Sequence, residues 1–212
     1  MATSTPAVTP AAHAEHAVLP HDERGGISNP VLGMLLFLCS EIMFFGGLFA
    51  AYFNVRANAP VWPPQGFEDK LHMFPLVLPA TILLVTSSFT CEMGVWAIRR
   101  NDRTGLVRAI GVTVLLGITF LIFQAIDYTQ LYADGMRLDA GVFGSTYFTL
   151  TGFHGAHVLG GVIMLSVVLY RAMSGQFSAR HHDAVEATSL YWHFVDVVWI
   201  ALFSTLYLLP SF

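Results

Sequence analysis

An all-α fold, an integral membrane bundle of five transmembrane helices, follows from three observations. Apolar residues make up 55% of the 212-residue chain and charged residues only 11%, against roughly 25% charged in a soluble domain. The apolar residues gather into five blocks, each near the length of about 20 residues that crosses a bilayer core. Polar and helix-breaking residues stand between the blocks: Pro60, Pro63 and Pro64, then Asn101-Asp102, then Asp134-Gly135, then Ser174-Gly175. The net charge of −4 is too small and too acidic to suggest a nucleic-acid partner.

The first 29 residues differ from the rest, being rich in Ala, Thr, Pro and His. They lack the basic start and apolar run of a signal peptide, so a disordered, uncleaved cytoplasmic tail over residues 1–29 is expected. The spans expected within a domain over 30–212 are Pro30–Phe53, Phe74–Ile98, Leu106–Tyr128, Phe143–Tyr170 and Thr188–Leu209. No internal repeat is evident, which argues against a transporter built from inverted halves. Cys39 and Cys91 both fall inside spans, where a disulfide between them is not expected.

Lys and Arg orient the bundle. Arg24, Arg99, Arg100, Arg103, Arg108, Arg171 and Arg180 fall on one side, and Arg56, Lys70 and Arg137 on the other. The richer side is cytoplasmic, which puts the N-terminus inside and the C-terminus outside. Trp62 and Trp199, near span ends, are expected as interfacial anchors.

Ionisable residues in hydrocarbon are expensive and mark a contact or a pathway. Glu41 lies about 16 Å from the start of its helix. As a neutral acid it can donate a hydrogen bond to another helix, or it can respond to protons. Glu92, close to Arg99 and Arg100, is expected to pair with a cation. His154 and His157 are three residues apart on one helix face. With His193 and Asp196 they could form a metal site, since imidazole suits several transition metals. Around the pair, however, stand Gly152, Gly155, Ala156, Gly160 and Gly161, which favour close helix approach with the imidazoles as hydrogen-bonding contacts. No metal is therefore assigned. A five-helix transporter working alone, with Glu41, His154, His157 and Asp196 along its route, is the rival from another class.

Four strings carry a family resemblance: Ser40-Glu41-Ile42-Met43-Phe44-Phe45, Gly144-Ser145-Thr146-Tyr147-Phe148, Thr151-Gly152-Phe153-His154-Gly155-Ala156-His157-Val158 and Tyr191-Trp192-His193-Phe194-Val195-Asp196-Val197-Val198-Trp199. Together they resemble subunit III of the haem-copper respiratory oxidases, the cytochrome c oxidase family, in its five-helix bacterial form. The resemblance implies a multi-pass subunit of the bacterial inner membrane in the aerobic respiratory chain. It would pack on subunits I and II, which carry the haem and copper of a proton-pumping, oxygen-reducing enzyme. The chain itself would have no catalytic residue and no cofactor beyond phospholipid, and would support proton uptake and turnover stability. Glu41 corresponds to the family's buried, carbodiimide-reactive glutamate, and Arg171 to an arginine on a phospholipid head group, so both are lipid-binding candidates. Asp127 in Gln124-Ala125-Ile126-Asp127-Tyr128 departs from the family's usual glutamate. Alternatives are subunit III of a quinol oxidase or a nitric-oxide-reductase-associated relative. A supercomplex with a cytochrome bc-type complex is left open.

Overall fold

The computed structural model describes residues 26–62, 74–139 and 141–209. Its elements are α1 (Asn29–Asn58), α2 (Phe74–Arg99), α3 (Arg103–Ala133), α4 (Val142–Met173) and α5 (Asp183–Phe203), with a π-helical turn over Ser204–Leu208. All five helices are long and apolar enough to cross a membrane. The expected tail falls almost wholly outside the described residues, as do Arg24, Pro63, Pro64 and Lys70.

Most helices overrun their expected spans because polar residues continue the coil after the apolar run ends. At the start of α5 the extension has a visible cause. His182 and Asp183 open the helix five residues before Thr188, and Glu186 takes part in a polar knot with Arg99 of α2 (2.8 Å) and His182 (3.1 Å). Acidic residues in a first turn suit the helix dipole.

The breakers work as local chemistry predicts. Asn101 takes a left-handed φ of 60° between α2 and α3. Asp102 then caps α3 by accepting from the Gly105 amide at 2.9 Å. Such a short turn makes α2 and α3 antiparallel neighbours. Gly135 (φ 85°) closes α3, with the Met136 amide returning to the Leu131 carbonyl at 2.9 Å. Gly175 (φ 72°) closes α4 in the same way, through Gln176 to Arg171 at 3.1 Å.

Helix α5 is the most buried helix, packing on α1, α2 and α4, and α1 is the least buried. Trp192 locks the centre. Its indole is fully buried, and its Nε1 donates to Ser87 Oγ of α2 at 2.9 Å. Two glycines make room for it. A Cβ on Gly117 of α3 would come within 2.8 Å of the ring, and one on Gly161 of α4 within 2.7 Å. At the far end α1 ties down the end of α5: Tyr52 donates to the Thr205 carbonyl at 3.3 Å and Arg56 to that of Leu209 at 3.0 Å. Carbonyls at a helix end need such donors.

Trp199 is not an interfacial anchor. It is 4% exposed, with its ring against His154 and its Nε1 on Thr81 Oγ1 at 3.0 Å. Trp62 is half-buried and donates to the Tyr52 hydroxyl at 3.2 Å.

Candidate functional site

Glu41 of α1 and His157 of α4 meet inside the membrane-spanning layer, Oε2 to Nε2 at 2.9 Å. The partner of His157 Nδ1 is the Phe153 carbonyl at 2.7 Å, which can only accept, so Nδ1 carries a proton. The bond between Nε2 and Glu41 therefore needs a second proton, either on the carboxyl or on the ring. In both cases the pair is neutral overall, which is how two ionisable groups can share a poorly hydrated seam. Phe45 packs against the imidazole (4.9 Å between centroids), and Tyr191 donates to the His157 carbonyl at 3.0 Å.

His154, three residues earlier, turns into the core instead. It is fully buried, stacked on Trp199 (4.9 Å) with Phe120 edge-on at 5.9 Å. Neither ring nitrogen has a hydrogen-bond partner among the described residues. The two histidines thus share a helix face but not a neighbourhood. Among the described residues, no three His, Cys, Asp or Glu side chains converge as a metal site would require.

His193 and Asp196 go to α2. Ser88 hydrogen-bonds Asp196 Oδ2 and lies 3.1 Å from His193 Nδ1. The other ring nitrogen, Nε2, is 3.5 Å from Glu92 Oε2. This corrects the pairing expected for Glu92: the imidazole takes it, and Arg99 is engaged by Glu186. Nothing in the sequence pointed to Ser88 as the bridge.

A second polar cluster joins α3, α4 and the end of α5. Gln124 Nε2 donates to the Thr151 carbonyl (2.8 Å), and the Tyr128 hydroxyl lies 2.7 Å from Thr151 Oγ1. Tyr147 donates to Asp127 Oδ2 (3.2 Å) and contacts the Tyr207 hydroxyl (2.6 Å). Asp127, the departure from the family pattern, is thus a buried acceptor for Tyr147. These groups line a small cavity with Phe120 and Trp199.

At the arginine-rich end, Arg171 bonds the Gln176 side chain (Nε to Oε1, 2.9 Å) and lays its guanidinium 4.8 Å over the Phe177 ring. No carboxylate among the described residues pairs with it, so its charge is open to an anion. Glu41 lies in a different layer, against His157.

Comparison with known proteins points one way. The family model for cytochrome c oxidase subunit III matches residues 21–211. A Mycobacterium tuberculosis protein named probable cytochrome c oxidase subunit 3 is 44% identical over 177 residues, 83% of this chain and 86% of that protein. Cytochrome c oxidase subunit 3 of Corynebacterium diphtheriae is 45% identical over 177 residues, with the same shares covered. That of Synechocystis is 43% identical over 192 residues, 89% of this chain and 79% of that protein.

Proposed function

Because the chain belongs to the cytochrome c oxidase subunit III family, we propose that it serves a proton-pumping terminal oxidase as a non-redox subunit that holds phospholipid and supports proton uptake and turnover stability. It is a multi-pass bacterial membrane protein, and its family implies a complex with other oxidase subunits. Haem and copper, supplied by subunits I and II, would carry out the oxygen chemistry there.

The observation that carries the reading is a convergence. The family match covers all five helices, and two of the recognised strings meet side chain to side chain at Glu41 and His157. Both His157 nitrogens are engaged, and His154 is flanked by aromatic rings, which supports a packing role over a redox centre. The open charge of Arg171 at the membrane boundary supports a phospholipid head group as its partner. The names of the relatives support cytochrome c as the electron donor of the complex.

Purification through this chain tests the proposal. A haem-bearing complex that consumes oxygen with cytochrome c is expected. Stripping the chain should leave haem spectra and the initial rate intact while slowing proton uptake and hastening inactivation per turnover. Immediate loss of the haem signal would overturn the non-redox role, as would a stoichiometric metal lost in His154→Ala. Unchanged inactivation would remove the supporting role. Oxidation of quinol alone would reassign the donor.

A further inference from the structure

The cavity beside Asp127 has room for a small polar ligand. It offers about 20 Å³ to the centre of a water molecule, above the roughly 10–15 Å³ that one water needs. Gln124, Asp127 and Tyr128 line it from one face of α3, at helical spacings of three and four. Tyr147 and Tyr207 border it from α4 and from the π-helical turn. Asp127 stands six residues before the end of α3, about 9 Å along the helix, so solvent is close at hand.

The polar wall has bonding capacity left over. Asp127 bonds Tyr147 through Oδ2 at 3.2 Å, its one side-chain hydrogen bond among the described residues. That leaves Oδ1 to the cavity the carboxyl borders. Gln124 spends one amide proton on the Thr151 carbonyl and has a second to give. Thr151 gives its own proton to the Tyr147 carbonyl. Its contact with Tyr128 therefore takes the Tyr128 proton, and that phenol oxygen can still accept.

Water suits these groups in either protonation state of the carboxyl. It donates to an ionised Asp127, accepts from a neutral one, and in both cases keeps bonds for Gln124 and Tyr128. Buried waters make about three such bonds. A metal cation lacks ligands here, since Asp127 is the one carboxylate among the described lining residues. The space is also far too small for an organic ligand.

We propose that one ordered water occupies this cavity, bonded to Asp127 and to its α3 neighbours Gln124 and Tyr128. It completes the polar seam that Tyr147 and Thr151 begin between α3 and α4. Aspartate at position 127 makes the room. A glutamate, one methylene longer, would carry its carboxyl into the space.

Radiolytic labelling of the complex that holds the full chain tests this, because an ordered water split by X-rays oxidises the side chains beside it. Tyr147, only 2% exposed, should take up oxygen, whereas fully buried Trp192, outside the cavity, should not. Asp127→Asn, which keeps the size and can still donate and accept, should keep the Tyr147 label. Asp127→Glu should lose it as the longer side chain displaces the water. A high-resolution structure of the unaltered chain should show a density peak within hydrogen-bonding distance of Asp127 Oδ1, and this decides the matter if Asp127→Glu does not fold. The proposal is overturned if Tyr147 is labelled no more than Trp192, or if Asp127→Glu folds and keeps the label. It is equally overturned if Asp127→Asn loses the label, or if the density shows no peak or a metal. None of these outcomes bears on the oxidase reading.

Discussion

Replacing Gly161 with alanine should destabilise the bundle, because the new methyl group has no space. Its Cβ would stand 2.7 Å from Trp192 Cε3 and 2.8 Å from Cζ3. Ordinary carbon contacts run at about 3.5–4.0 Å, so the indole must retreat by close to 1 Å. Retreat is blocked, since Gly117 already borders the ring and Nε1 is bonded to Ser87 at 2.9 Å. Overpacking of this kind costs about 1–3 kcal/mol, and loss of the indole hydrogen bond adds about 1 kcal/mol. Alanine's better helix propensity returns up to about 1 kcal/mol. The net expectation is a loss of about 1–3 kcal/mol, read by reversible unfolding of the purified chain in mixed detergent micelles. Gly47→Ala is the control, because a Cβ there meets nothing within 4 Å. It should be neutral or stabilising. Equal stability of the two variants would refute the claim that Trp192 fixes α5 against α3 and α4.

Glu41→Gln should assemble normally with modest loss of activity, because the amide can still donate to His157, whereas Glu41→Ala should lose about 1–2 kcal/mol of stability. A hydrophobic carbodiimide should label Glu41, and peptide mapping reads the modified residue. His154→Phe should be neutral or stabilising by about 1 kcal/mol, since the ring contacts persist and an unsatisfied buried N–H disappears; micelle unfolding checks it, and a large loss would show that His154 has a partner after all. Arg171→Ala should reduce bound anionic phospholipid, measured by extraction and mass spectrometry, and should shorten the number of turnovers before inactivation without impairing assembly.

Length and hydropathy alone determined the number of helices and their order, because each helix must satisfy its own backbone in a medium without water. Turn positions were equally legible, since Asn101, Gly135 and Gly175 act through backbone conformations that neighbours do not alter. The polar residues inside the spans were legible as important but not as partners. A helical face is readable from spacing, yet which other helix covers it depends on the packing of the whole bundle. His154 and His157 are adjacent on one face and still end in different surroundings, one between Phe120 and Trp199 and one on Glu41. Glu92 lies near arginines in sequence, but α5 brings His193 closer. Trp199 reads as an anchor from its place in the chain and is in fact core, because α5 is enclosed where α1 is not. Local chemistry is written in the chain one residue at a time; pairing is decided where Gly117 and Gly161 let Trp192 in, and only the folded bundle brings those three residues together.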